Sequence, residues 1–238
     1  MKRISALLAT TALIAASHSS VFAGDIKGYA GTGLGYSSLD TPENSVFLIG
    51  SSSGSTTITQ TDSKSETGGL GGTLFAGIQL NQNFAIEADY VKYAESEYSS
   101  TQAQYDSGTL TGSNTATLDY KTQSYGLFLK GVYPMSKRFS LYAKLGADYV
   151  DQEVSYVNSA GTPSISIDTS EVAEPKSGTS NYSEIRPAGG LGLSYKINNS
   201  LTASAFYEGF LGKGDMESDQ DAIGSASLLG LSLSYQFQ

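Results

Sequence analysis

Carboxylates and cationic side chains spaced two and four apart are the residues of this chain that could do chemistry. Asp215, Glu217, Asp219 and Asp221 form the densest acidic run. In an extended segment this period stacks four carboxylates on one face, where they repel unless solvated or bridged by Ca²⁺ or Mg²⁺. The run lacks the glycine and the distal glutamate of an EF-hand loop, so a solvated acidic loop is the default and a divalent-ion site the alternative. A second set mixes both signs: Glu87, Asp89, Lys130, Lys144, Asp148, Arg186 and Glu208. Catalysis is disfavoured by a count. The one histidine is His18 and there is no cysteine, so the usual general base and the usual thiol nucleophile are missing beyond the leader. Neither an enzyme nor a cofactor is expected.

The elements that position the second set are strands. Phe139, Leu141, Ala143, Leu145, Ala147 and Tyr149 form an apolar column, and Ser140, Tyr142, Lys144, Gly146 and Asp148 alternate with them. Successive side chains of a strand point to opposite faces, so one face here is apolar and the other carries charge, over about the length that crosses a bilayer as a tilted strand. The pattern recurs. Ile26 to Tyr36 alternates, as do Leu70 to Leu80, Phe84 to Tyr90, Leu118 to Tyr133, Ile185 to Tyr195, Leu201 to Tyr207 and Ile223 to Phe237. Pro187 counts against the strand that contains it unless a bulge or a ladder edge accommodates it.

Between the runs, connections alternate long and short. Asn81–Asn83, Pro134–Arg138 and Lys196–Ser200 are tight turns by composition, while 38–66, 94–114, 151–181 and 209–221 are long and polar. Seven connections imply about eight antiparallel strands and a closed all-β up-and-down barrel with four long extracellular loops. The seven charged residues then face a narrow lumen, where ions of opposite sign must pair. Eight tyrosines (36, 90, 125, 133, 149, 195, 207 and 235) fall at run ends on the apolar face, as suits a ring with a hydroxyl at a membrane–water boundary. Val46, Phe47, Leu48 and Ile49 form the one apolar patch expected outside the bilayer.

The chain opens with an export signal: Lys2 and Arg3, an apolar segment from Ala6 to Ala16, and a small-residue cleavage site ending at Ala23. Residues 1–23 are expected to be removed, leaving 24–238 as the barrel domain. Cleavage removes two basic residues and no acid, so the formal net charge moves from −9 to −11. That argues against nucleic acid as a partner.

The stretches 125–134 and 139–149, with the terminal column Leu231, Leu233, Tyr235 and Phe237, resemble the small outer-membrane barrels of the OmpA-like transmembrane-domain type, with OmpX/Ail and opacity-protein relatives. The resemblance implies placement in the outer membrane of a Gram-negative cell, in contact with its lipid and lipopolysaccharide. It also implies that the barrel-assembly machinery reads the terminal column, here followed by one extra residue, Gln238. A peptidoglycan-binding domain after the last strand is not expected. The barrel enzymes of that membrane, such as the omptin proteases, resemble one another in using histidine. The expected function is therefore a non-enzymatic surface or structural protein whose loops contact a host or envelope ligand. The alternatives are a narrow channel for small solutes or ions, and a secreted soluble β-sandwich that binds a ligand.

Overall fold

The computed structural model describes residues 27–40, 56–106, 109–160, 177–212 and 223–237, so the export signal, the patch at 46–49 and the acidic run at 215–221 lie outside the described residues. The regular elements are ten strands: β1 (Lys27–Leu39), β2 (Thr56–Glu66), β3 (Gly68–Gln79), β4 (Phe84–Lys92), β5 (Ser96–Asp106), β6 (Thr109–Pro134), β7 (Phe139–Ala160), β8 (Ser177–Lys196), β9 (Leu201–Phe210) and β10 (Ala226–Gln236). All pairings are antiparallel. Eight strands close a ring in the order β1, β3, β4, β6, β7, β8, β9, β10 and back to β1.

The remaining two strands extend that ring upward. β5 continues the line of β4 along the upper half of β6 after a break at 93–95. β2 precedes β3 in the same way, separated by Thr67, and pairs with β5. The expected eight strands are therefore present, but two of the expected long loops contain strand. Most of 94–114 is hairpin, with only residues 107 and 108 between β5 and β6, and β2 occupies the end of 38–66. β7 and β8 likewise run further into 151–181 than expected. These extensions are rich in Thr, Ser and Tyr, which suit a strand, and their buried positions include serines (Ser96, Ser100), so they lack the apolar alternation that marks the barrel staves.

Following paired residues round the ring from Ser38, through Ser227, Gly209, Gly189, Leu145, Leu129, Ile86 and Ile78, returns to β1 at Gly28, a stagger of ten residues. With eight strands, that stagger gives a tilt of about 40° and a backbone radius of about 8 Å, a lumen that side chains can fill.

The three short turns share one device that fixes register. Asn81 Oδ1 accepts from the N–H groups of Asn83 and Phe84, at 2.9 and 3.0 Å. Ser136 Oγ does the same for Arg138 and Phe139, and Asn198 Oδ1 for Ser200 and Leu201. Pro187 sits inside β8, opposite Ala147. Its carbonyl accepts from Leu211 N–H at 3.0 Å, just past the end of β9. A strand residue presents its N–H and C=O to the same neighbour, so the missing N–H falls on the β9 side, at the point where that ladder ends.

Candidate functional site: the lumen network

Alternation along β4 turns Glu87 and Asp89 inward, and along β7 it turns Lys144 and Asp148 inward. Lys144 is the centre. Its ammonium lies 2.6 Å from Asp89 Oδ2, 2.6 Å from Glu208 Oε2 and 3.3 Å from Glu87 Oε1, so one cation ties β7 to β4 and β9. The same ammonium sits 4.4 Å from the centre of the Phe128 ring. Lys130 on β6 donates to Glu87 Oε2 at 2.7 Å and lies 4.3 Å from the centre of the Tyr142 ring. The Tyr29 hydroxyl donates to the same Glu87 oxygen at 2.7 Å. Both oxygens of Glu87 are thereby occupied, as a buried carboxylate requires.

Glu87, Asp89, Lys144, Asp148, Arg186 and Glu208 are buried, and the Lys130 side chain is mostly so. Five of them join one network: Glu87, Asp89, Lys130, Lys144 and Glu208. The other two do not pair as expected. Asp148 and Arg186 are cross-strand partners in register, yet the Arg186 guanidinium turns up the strand to Glu184, at 2.6 Å. Asp148 is buried and makes no ion pair among the described residues. Glu184 was missed because it stands above the apolar run, where alternation no longer signals a face. Tyr29 was missed because the apolar column of β1 is short and broken by glycine.

An apolar cluster closes the lumen above the ions. Leu39, Val91, Tyr93, Val150, Phe210, Ile223, Ala226 and Leu228 come from the ends of five staves away from the short turns and from the segment before β10. Tyr93 and Phe210 meet edge to face at 5.6 Å. Below the ions the lining is polar, with the Ser194 and Ser204 hydroxyls 3.0 Å apart. Gly33 lets the upper and lower lining interlock, since a Cβ there would strike the Phe206 ring and Thr73. The arrangement holds ions still.

Outside, the apolar columns face away from the core. Leu34, Leu74, Leu127, Leu129, Leu145, Leu191 and Leu231 are all exposed, Leu145 at 75%. Two aromatic rows bound this band. Tyr90, Tyr125 and Tyr149 stand in one cross-strand row, and Phe84, Tyr133, Phe139, Tyr195 and Tyr235 lie near the short turns. Phe139 and Tyr149 are ten residues apart on β7, which at this tilt spans about 25 Å, the height of an outer-membrane apolar band. In the terminal column Leu231, Leu233 and Tyr235 face outward, while Phe237 lies just past β10, half-buried, with its ring 5.6 Å from that of Tyr235.

The sequence model of the family described as "Outer membrane protein beta-barrel domain" matches residues 5–237. The chain belongs to that family. This outer-membrane barrel is similar in structure to Ail of Yersinia pestis, solved in complex with the heparin analogue sucrose octasulfate, at 16% identity and a TM-score of 0.42, covering 89% of this chain and 99% of that one. It is also similar to Neisserial surface protein A, at 13% identity and 0.48, covering 90% and 98%. The N-terminal β-barrel domain of Pseudomonas aeruginosa OprF gives 11% identity and 0.43, covering 90% and 98%. A search of curated proteins finds no match. The soluble-sandwich reading is set aside: the family is one of outer-membrane barrels, and the leucine columns face lipid where a sandwich would bury them between sheets.

Proposed function

We propose that this outer-membrane barrel is a non-enzymatic surface protein whose sealed lumen anchors an extracellular sheet that binds an extended segment of a partner. The observation that carries this reading is the open edge of β2. Among the described residues β2 pairs with β5 alone, which leaves its other row of N–H and C=O groups free to accept a strand. Five strands, β2, β5, β6, β7 and β8, rise above the membrane as one wall, and β9 and β10 stop far lower. The apolar packing above Lys144 supports a sealed anchor over a solute channel.

The chemistry of the partner follows from the wall. Glu66, Glu97 and Asp119 are direct cross-strand neighbours on three adjacent strands, where like charges destabilise a sheet and the one cation paired with them among the described residues is Lys64, 2.6 Å from Glu66. An extended basic segment relieves that repulsion, whereas a sulfated polyanion of the kind held by Ail would add to it. Lipid and lipopolysaccharide contact the outward leucines and tyrosines, and the barrel-assembly machinery reads Leu231, Leu233, Tyr235 and Phe237.

Proline scanned through β2 on whole cells tests the reading (T57P, I58P, T59P and Q60P). Alternate positions direct their N–H to the free edge, and proline there leaves the β2–β5 ladder intact. At those positions capture of basic peptides at physiological salt is expected to be lost with surface display unchanged. Equal capture by every variant would rule out edge pairing.

A further inference from the structure

The short-turn end of the barrel carries the charge opposite to that of the chain as a whole. The sequence holds 23 Asp and Glu against 14 Lys and Arg, yet the turns at 81–83, 134–138 and 196–200 contain Lys137, Arg138 and Lys196 and no carboxylate. The three cations lie on two adjoining turns, because Lys196 N–H donates to the Arg138 carbonyl at 2.8 Å. All three are exposed, and among the described residues none is in an ion pair. Arg138 is also oriented. Its Nη1 donates to the Tyr195 hydroxyl at 3.1 Å, and the Tyr195 ring packs against that of Phe139, its cross-strand partner, at 5.0 Å. The guanidinium is thereby held at the aromatic row that bounds the apolar band, the level of lipid headgroups, and its fork of donors suits a phosphate.

Just above the turn at 134–138 the lipid-facing surface is indented. Gly131 on β6 and Ala143 on β7 are direct cross-strand partners, and they floor a groove of about 460 Å³ between Phe84, Tyr133 and Leu141. A Cβ added at Gly131 would meet nothing nearer than 3.9 Å, so the groove is open down to its floor. A groove in a surface that faces hydrocarbon is filled by hydrocarbon. Outer-membrane barrels keep their short turns on the periplasmic side, so the chains that reach this groove belong to inner-leaflet phospholipid. Clustered cations at a membrane surface select the anionic lipids among them.

We propose that the short-turn end binds an anionic phospholipid, with one acyl chain in the groove over Gly131 and Ala143 and the phosphate held by Lys137, Arg138 and Lys196. The site ties the barrel to the lipid of one leaflet and is separate from the lumen and from the wall.

The test reads the lipid beside the groove directly. The chain contains no tryptophan, so F84W sets a single reporter in the groove wall, and L231W on β10 sets one across the ring from β6. Each full-length barrel is refolded into phosphatidylcholine vesicles holding a fixed fraction of phosphatidylglycerol brominated on its acyl chains, or the same fraction of brominated phosphatidylcholine. Brominated phosphatidylglycerol is expected to quench F84W several-fold more strongly than brominated phosphatidylcholine, and the two are expected to quench L231W equally. Removing the charges (K137Q, R138Q and K196Q together) is expected to abolish the preference at F84W, and G131L, which fills the floor and keeps every cation, is expected to weaken it. Equal quenching of F84W by both lipids, a preference shared by L231W, or a preference unchanged by either set of substitutions overturns the proposal. So does weak quenching of F84W by both lipids, the result of a second copy of the chain covering the groove. L141W replaces F84W should that variant fail to assemble.

Discussion

Lys144 and Lys121 make ion pairs of nearly the same composition in two regions of this barrel, and their environments make them different interactions. Lys144 is 3% exposed and is shared by three carboxylates in the lumen. Lys121 meets Glu153 at 3.4 Å on the extracellular wall, with the two side chains 50% and 43% exposed. In the first region water is excluded by Phe128 and the apolar seal, so each ion depends on its partners. In the second, water solvates both ions whether or not they meet. The same contrast runs through the two sheets. Barrel staves divide an apolar face from a polar one, whereas the wall carries solvated ion pairs such as Lys64–Glu66 and Lys121–Glu153.

The largest expected effect is the loss of the lumen cation. Lys144→Met leaves Glu87, Asp89 and Glu208 without their common partner, and breaking a buried pair costs about 3–5 kcal/mol. The heat-modifiable folded form is expected to disappear, and to return in part when D89N and E208Q are added to K144M. Lys121→Met is expected to cost at most about 1 kcal/mol. Similar losses for both lysines would erase the distinction between the regions.

A second comparison stays on one strand. Leu145 faces lipid in the middle of the apolar band, and Val157 stands twelve residues higher on β7, on the wall. Leu145→Arg is expected to cost about 2–4 kcal/mol, as arginine does at the midplane of an outer-membrane barrel. Val157→Arg is expected to stay within about 0.5 kcal/mol, as for surface substitutions generally. Urea unfolding in lipid vesicles measures both. Equal costs would place the boundary of the membrane somewhere other than the Tyr90–Tyr125–Tyr149 row.

These environments also decide what could be read from the amino-acid order. The staves were legible because lipid on one side and a packed lumen on the other force strict alternation, which separates Lys144, Asp148, Glu87 and Asp89 from the apolar columns. β2 and β5 were hidden because threonine and serine serve both faces of a wet strand equally well. The network itself was legible only as a list of members. Which carboxylate meets which lysine depends on cross-strand register: Gly190 of β8 is paired with both Lys144 of β7 and Glu208 of β9, so the two side chains meet over a residue that has none. The failure of Asp148 to pair with Arg186 lay beyond reach, since it turns on a rotamer choice favouring Glu184 over a partner directly opposite in register.

The smallest expected effect concerns the short turns, where the regions differ in what fixes their strands. In the barrel, Asn198 Oδ1 accepts from Ser200 and Leu201 at 2.9 and 2.8 Å and closes the turn between β8 and β9. A one-residue slip there would turn Leu201, Ala203, Ala205 and Tyr207 into the lumen and Glu208 out to lipid, so burial enforces the register independently of the turn. Asn198→Ala is therefore expected to cost only about 1 kcal/mol, the worth of the lost side-chain hydrogen bonds on a solvated turn, and to leave the folded register intact. Slower refolding into vesicles with an unchanged final yield is the expected record. A lower yield of the heat-modifiable form would mean that the turn selects the register and the alternating faces only keep it.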